Sequence, residues 1–317
     1  MKLDIVNASI AENSSQEAEG LLFQRLSYNQ LYIDSGYEIV EFRFKKNNIL
    51  CLSLVAGVKN KALKSPFSAP FGGFIEHVSP LSISDYIAAV ELLKSYLVCN
   101  KILESYITLP PDCYGAPLIA KQVFALQAAG YEVKHSDLNY SLDLRKNSFD
   151  DGLKKIARRC LKKSKSHKLD FSLCEDAERV VMAYDVIQKN RIQRGNPLKL
   201  SLENLLAVKR LSAVDFFIVN YQGQAIASAV VYKIAERFGQ VIYWGNDIEF
   251  NSLNSIHFLA ENLFNYYKPC LDTLDIGPSS LEGVANIGLC RFKESLGCDV
   301  TLKLNLSLNN QRTEERS

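Results

Sequence analysis

The chain is short of the residues that do covalent or metal chemistry. Its 317 residues hold one tryptophan, two methionines and four histidines. His77, His135, His167 and His257 are scattered, and none stands beside an obvious partner in sequence. The eight cysteines are Cys51, Cys99, Cys113, Cys160, Cys174, Cys270, Cys290 and Cys298, with no Cys-x-x-Cys pair among them. That excludes the usual zinc-ligand spacing. Neither a Ser-His-Asp nor a Cys-His set emerges, so a covalent acyl-enzyme is not the first choice. No apolar run approaches the length of a membrane span. The N-terminal "MKLDIVNASIAENSSQE" has no apolar core of the kind a secretory signal needs. Cysteines set in apolar patterns act as small hydrophobes, and a reduced, cytoplasmic compartment is the expectation.

What is present is a globular composition, 47% hydrophobic and 23% charged. It can bury one large core or two ordinary ones. One segment stands out. "LKKIARRCLKKSKSHKL" (Leu153–Leu169) carries eight Lys or Arg and no acid. Against a net charge of +2, that leaves −6 for the rest of the chain. Nucleic-acid-binding domains usually spread basic charge over a whole face. Here the charge is local. Leu153, Ile156, Ala157, Cys160 and Leu161 recur at helical spacing, so the segment predicts an amphipathic helix docked on a core. Lys154, Lys155, Arg158, Arg159, Lys162 and Lys163 cover its other arc. A solvated basic face is the commoner outcome. The sharper one is attraction of a phosphate-bearing substrate, with Arg158 and Arg159 as contacts.

The order of predicted elements runs twice. "YEIVEFRF" and "NILCLSLVAGV" read as a hairpin about "KKNN". A loop "SPFSAPFGGF" follows, then a helix near Ser84–Val98 capped by Ser82 or Ser84. The strand "ESYITLP", a helix stopped by Gly130 and the alternating strand "YEVKHSDLNYSLDL" complete the first half. Then come the basic helix, the strand "KLDFSLCE" and helices near Asp176–Arg194 and Ser201–Leu211. The hairpin recurs as "DFFIVN" and "QAIASAVVYKI", followed by "QVIYWGN" after a turn at Gly239. A loop "DIEFNSLN", the helix "SIHFLAENLFNYYK", the strand "TLDIGPSS", a helix stopped by Gly297 and "DVTLKLNLSL" close the second half. This predicts a duplicated α+β unit, with mixed sheets flanked by helices. The expected division is 1–148 and 149–310, with a frayed polar tail at 311–317.

Three segments carry a family resemblance. "KKIARRCLKKSKSHKLDFSL" resembles the basic helix and strand that open the second unit of the Fem-type aminoacyltransferases. "IQKNRIQRG" resembles their helix ending in Arg and Gly, and "LDIGPSS…GLCRFKESLG" resembles their closing strand and Gly-x-x-x-Phe-Lys helix. The element order resembles two tandem GNAT (acyl-CoA N-acyltransferase-like) folds. The likeness covers most of the chain in architecture and mainly residues 151–300 in motif. It implies an acyltransferase that joins an acyl or aminoacyl group to an amine by direct attack in a ternary complex. A cell-envelope or polysaccharide precursor is the acceptor it points to. Acyl-CoA or aminoacyl-tRNA would be the co-substrate, with no cofactor bound tightly. The second unit would hold the donor. One departure matters: the glycine-rich loop of acetyl-CoA enzymes is replaced by "GNDIEFNSLNS", with no glycine after Gly245. Such glycines let backbone N–H groups approach a pyrophosphate. Two alternatives remain, an acetyl-CoA-dependent N-acetyltransferase of a small amine or amino sugar, and a non-catalytic nucleic-acid-binding protein that uses the basic helix.

Lys293 is the sharpest site candidate. Leu289, Cys290, Phe292 and Leu296 define an apolar helical arc, and Lys293 falls inside it. An ammonium there must reach a partner, a ligand anion or solvent. The resemblance implies that it lies near the negative charge developed in acyl transfer. Asp275, at a strand end, either orients or deprotonates the acceptor amine, or bonds to local backbone. Tyr243 joins these two as a catalytic candidate. Trp244, Gly245 and Asn246 end the central strand that GNAT enzymes splay to hold the donor's acyl arm, although an aromatic on a strand is more often core. Asn251, Ser252, Asn254 and Ser255 would supply donors and a cap at the next helix N-terminus. Arg191 and Arg194 either complement a helix C-terminus or clamp phosphate. Phe71, Gly72 and Gly73 would shape the acceptor cleft, or form a turn.

Overall fold

The computed structural model describes residues 1–7 and 20–310. The expected frayed tail, 311–317, lies outside the described residues, as does most of the N-terminal stretch read above for a signal. In chain order the first elements are β1 (Lys2–Asn7), α1 (Leu26–Gln30), β2 (Glu38–Lys46), β3 (Ile49–Lys59), β4 (Ala62–Ser65), β5 (Phe74–Glu76), α2 (Ile83–Cys99), β6 (Glu104–Thr108), α3 (Ala116–Ala128) and β7 (Glu132–Asp143). Then follow α4 (Lys155–Lys165), β8 (Asp170–Leu173), α5 (Ala177–Gln193), α6 (Leu202–Ala207), β9 (Val214–Tyr221), β10 (Gln224–Ala235) and β11 (Phe238–Asn246). The chain closes with α7 (Ser255–Tyr267), β12 (Thr273–Pro278), β13 (Ser280–Leu281), β14 (Val284–Ala285), α8 (Ile287–Ser295) and β15 (Asp299–Asn309).

Two compact units divide these elements. Unit 1 is Met1–Leu138 with Thr301–Ser317, and unit 2 is Asn139–Val300. The expected cut at 148 is therefore displaced. The polar turn at Arg145–Asp151 does not mark the boundary, because the single strand β7 runs across it. The end of the chain also leaves the second unit. From Asn305 to Asn309, β15 pairs antiparallel with β6 of unit 1.

The sheet of unit 1 runs β1-β2-β3-β4-β6-β15, with β5 beside β3. Its β4 and β6 are parallel and the other pairs antiparallel. The β2–β3 hairpin turns on Asn47 and Asn48, both at positive φ, which asparagine tolerates better than most residues. Ser82 caps α2 with Asp85 in a reciprocal box. The apolar faces of α2 and α3 close over β2 and β3, burying Phe42, Phe44, Leu54, Leu93 and Leu126. Phe71 is fully buried against Phe23 and Tyr114. Gly72 and Gly73 are buried beside it, with the Gly72 carbonyl taken by Gln24 Nε2. The trio expected to shape an acceptor cleft is thus interior packing of unit 1.

Unit 2 repeats the pattern. Its sheet runs β8-β9-β10-β11-β12 and ends on the second part of β7. Only β11 and β12 are parallel. Gly239 does not form the turn before β11. It lies within the strand opposite Lys233, and the turn is Glu236–Arg237. Helix α5 packs on β10 and β11, and α4 packs on α7 and α8. The stripe expected on α4 is narrower than the sequence suggested. Leu153 precedes the helix, Ala157 and Leu161 are buried, and Ile156 is 60% exposed. The buried Ser164 takes the place one turn further along that face. No helix among the described residues is long and apolar enough to cross a membrane.

Candidate active site

The parallel strands of unit 2 stay paired only at Phe238–Thr273, Gly239–Leu274 and Gln240–Asp275. Beyond that, β11 continues to Asn246 along β10, while β12 ends at Pro278. The two carboxyl ends therefore diverge. In open α/β sheets this end of a parallel pair is where ligands enter.

Asp275 sits at the last paired position and is fully buried. Its carboxylate accepts from Asn139 Nδ2 at 2.8 Å, Gln240 Nε2 at 2.9 Å and the Gly277 backbone N–H at 2.8 Å. The Gly277 bond is the local turn contact anticipated for an acid at a strand end. Asn139 and Gln240 were not legible in sequence, because only the strand register brings them to this carboxylate.

Lys293 rises from α8 beneath the same turn and is 2% exposed. Its ammonium donates to the carbonyls of Ile276 at 2.8 Å, Gly277 at 2.8 Å and Pro278 at 3.1 Å. An ammonium has three protons, and all are used. It also lies 5.5 Å from the centroid of the Tyr140 ring. Burial pulls its pKa down to about 8, opposed first by the nearby Asp275 charge. The partner that the apolar arc demanded is thus the backbone at the end of β12. Tyr140 is itself buried, with its hydroxyl pushed above the usual phenol range mainly by desolvation.

Tyr243 and Trp244 are consecutive, so the pleat sends them to opposite faces. The Arg191 guanidinium lies over the Tyr243 ring at 5.3 Å, on the α5 side. Burial lowers the Arg191 pKa, and its Nε has no hydrogen-bond partner among the described residues. Trp244 meets Phe292 of α8 at 6.1 Å, and Phe292 meets the His257 ring edge-on at 5.4 Å. His257 Nδ1 is buried with no hydrogen-bond partner among the described residues, and desolvation lowers its pKa. Tyr243 therefore stacks with Arg191, while Lys293 and Asp275 both hold the turn at the end of β12.

The donor-loop candidates close on themselves. A Cβ on Gly245 would stand 2.6 Å from Asn190 Oδ1, so α5 fills the space that the missing side chain leaves. Asn190 Nδ2 donates to the Asn246 carbonyl at 2.6 Å. Asn246 Nδ2 donates to the Asp247 carbonyl and to Asn251 Oδ1. Asp247, buried, accepts from Lys189 at 2.6 Å and Gln193 at 3.2 Å. Lys189 and these bonds hold the Asp247 carboxyl below its ordinary range against the opposing cost of burial, which is the largest single influence. Asn254, left-handed at φ 54, makes no side-chain cap to α7, and its amide goes to the Ser252 carbonyl. Ser255 Oγ is buried with no hydrogen-bond partner among the described residues. Of the expected loop donors, Asn246 and Asn254 spend their side-chain amides within the loop, Asn251 accepts through Oδ1, and Asn251 and Ser252 are exposed.

The remaining cations are dispersed. Arg158 is exposed and donates to the carbonyls of Asp150 and Leu153, Arg159 is exposed, and Arg194 is exposed at the end of α5. All eight cysteines are free thiols, and no cluster of metal-ligating side chains occurs among the described residues.

Comparison with solved structures places this architecture among tandem GNAT-type folds. The chain matches the crystal structure of FemX with a TM-score of 0.71 at 11% identity, over 100% of this chain and 99% of that one. It matches L-PGS from Bacillus licheniformis at 0.63 and 10% identity, over 93% of this chain and 89% of that one. A tandem GNAT protein from the clavulanic acid biosynthesis pathway matches at 0.50 and 9% identity, over 97% and 98% of the two chains. No family model matches the sequence, and no curated protein matches it. The fold expected from the element order, two GNAT-like units of the Fem type, is the fold of this chain.

Proposed function

We propose that unit 2 carries an acyltransferase site at the carboxyl ends of β11 and β12. It would move an acyl or aminoacyl group from a donor to an amine-bearing acceptor. The observation that carries this reading is the splay after three paired positions. Among the described residues, β11 pairs with no strand on its β12 side beyond Gln240. An extended acyl arm can take such an edge through main-chain hydrogen bonds. The acceptor amine attacks the acyl carbonyl carbon, the bond to the donor's sulfur or oxygen breaks, and the amine proton leaves with that group. Such direct transfer needs positioning and electrostatic support rather than a nucleophilic side chain. The splayed strands supply the first. The buried positive charge of Lys293 beside the divergence supplies a field of the right sign.

The closed loop bears on the donor. Backbone amides cradle a pyrophosphate where glycine lets it approach. Here Asn246 and Asn254 spend their amides inside the loop, and Asn190 fills the space at Gly245. That favours an aminoacyl-tRNA over an acyl-CoA, and a cell-envelope precursor amine suits such a donor. The test is a thermal-shift screen of acyl-CoAs and aminoacyl-tRNAs, with transfer to amine acceptors read by mass spectrometry. Stabilisation by charged tRNA with product formation is expected. Stabilisation by acyl-CoA alone moves the protein to the acetyltransferase alternative, and a response to neither class overturns the site.

A further inference from the structure

After β12 the chain makes a small hairpin of its own, β13–β14, outside the main sheet of unit 2. Its turn is Glu282–Gly283, both at positive φ. The tip is apolar and open to solvent, with Leu281 76% and Val284 75% exposed, and Ile287 just beyond it 56% exposed. Solvent-facing leucine and valine give the hairpin no core of its own, and an isolated two-stranded hairpin is marginal in water. Something else must hold it.

The root is held from below. Asn286 N–H donates to the Ser279 carbonyl at 2.8 Å, and Cys290 Sγ contacts that same oxygen at 3.6 Å. Just before Ser279, the carbonyls of Ile276, Gly277 and Pro278 all turn onto Lys293 Nζ. Asp275 fixes the other side of the turn through the Gly277 N–H. The pairing of β12 with β7 shifts register between Asp275 and Pro278, so no regular ladder holds this stretch. Three successive carbonyls on one buried ammonium take the ladder's place.

We propose that Lys293 is a positioning residue that fixes the end of β12, and through it the β13–β14 hairpin, at the mouth of the splay. Its three protons face backbone oxygens, so none is directed at a reacting atom. Its electrostatic support of transfer, which rests on the acyltransferase reading, works through space and through the geometry of the turn. Asp275 shares the task from the opposite side, with its carboxylate committed to Asn139, Gln240 and Gly277.

Hydrogen–deuterium exchange on the full chain tests the anchor without any substrate. Lys293→Met keeps the length of the side chain and removes the bonds. Exchange across residues 276–286 should rise roughly ten-fold or more, the size expected when about 1.4 kcal/mol of local protection is lost. Exchange across β9 and β10 should stay as it is. Unchanged exchange at 276–286 in a folded variant overturns the anchor. If Lys293→Met does not fold, Lys293→Gln carries the test. It keeps a donor, and a rise of several-fold supports the anchor while no rise overturns it. Turnover is the second readout, with the donor found in the screen. A fall in kcat of about 10²-fold with donor KM unchanged, partly recovered in Lys293→Gln, is the mark of lost positioning. Unchanged kcat despite loosened exchange limits Lys293 to a purely structural role and overturns the positioning role. If no donor is found the acyltransferase reading fails, and the exchange result still decides the anchor.

Discussion

A buried lysine is an expense that a protein tolerates for a reason, and at Lys293 the terms can be separated. The residue is 2% exposed, and burial lowers its pKa to about 8 from an ordinary 10.5. The groups facing it are Asp275 on β12, Tyr140 on β7, Cys290 on its own helix, Cys298 beyond it and the more distant Arg191 on α5. The folded chain therefore gives up this proton at lower pH than the unfolded chain does. Between about pH 8 and 10.5 the unfolded state binds more protons, and stability contributed at this site rises with pH. Below pH 8 both states hold the proton, and the full cost, about 3 kcal/mol by the size of the shift, is present. Urea titrations of wild type and Lys293→Met at pH 7.5 and 10 read this directly. The wild type should gain on the variant by up to about 2 kcal/mol across that range. A constant difference would show that the charge is not what burial penalises. Gly245 gives a simpler case. A methyl there meets Asn190 Oδ1 at 2.6 Å, so Gly245→Ala should cost about 1 to 3 kcal/mol of unfolding free energy. Gly245→Ala combined with Asn190→Ala should cost less than the two single changes added together, since removing one side chain makes room for the other. At this scale the sequence was half legible. The apolar arc showed that Lys293 needed a partner, and the spacing of Asp275 from Gly277 hinted at the turn. That the partners would be three consecutive carbonyls depends on the break in β12, which no periodicity announces.

The helices were easier to read than the strands because their ends carry their own chemistry. Ser82 with Asp85, Asp176 with the Arg179 amide, and Ser201 with Asn204 each close a helix start by local side-chain bonds. Such signals need no tertiary knowledge. Strands lack them. β1 was missed, β11 was started too late, and the β13–β14 hairpin was absorbed into a strand ending, because short polar or glycine-containing segments become strands only through a partner. Helix α4 shows the same limit from the other side. Its periodicity is real, yet only a narrow seam packs, and Ile156 lies out in solvent. Its outer face keeps Lys155, Arg159, Lys162 and Lys163 exposed, while Lys154 and Lys165 reach Glu294 and Glu261. If that face attracts a phosphate-bearing donor, Arg159→Glu with Lys163→Glu should leave the melting temperature unchanged and lower kcat/KM about ten-fold at low salt. The loss should shrink as salt rises, and a salt-independent loss would point to a packing defect instead. The end of α8 is the most demanding element terminus. Gly297 stands at φ 74, and a Cβ there would lie 2.2 Å from the Gly152 carbonyl oxygen. Gly297→Ala adds left-handed strain to a backbone collision, and a loss of roughly 2 to 4 kcal/mol in urea unfolding is expected.

At the scale of the whole chain, the duplication was legible because it is written in element order, and order survives when residue identity does not. Each unit has antiparallel strands, one parallel pair joined through a helix, and a further antiparallel strand beside that pair. The boundary was not legible. A cut at 148 assumes that each unit ends with its own last strand, yet β7 runs across the division, and from Thr301 the chain belongs to unit 1. There β15 pairs with β6 from Glu104 to Thr108, the Leu304 carbonyl accepts the Leu109 N–H, and Asn305 Nδ2 reaches Thr108 Oγ1 at 2.6 Å. Leu306 and Leu308 complete the core beneath α3 and β6. The first and last strands, β1 and β15, therefore serve one core. Deleting residues 301–317 should strip β6 of its β15 neighbour, leave it only β4, and open that core, with exchange protection falling across α2, α3 and β6. Residues 139–300 keep their own sheet partners in the same truncation, so β9 and β10 should stay protected. If instead unit 1 keeps its protection, the C-terminal strand adds little to its stability and the cut at 148 describes the folding unit better. A protein comprising residues 1–138 fused by a flexible linker to 301–317 should recover the protection, because it restores the strand and the two leucines without the rest of unit 2. Recovery in that fusion would show that the split unit is a physical domain whose last strand arrives from the far end of the chain.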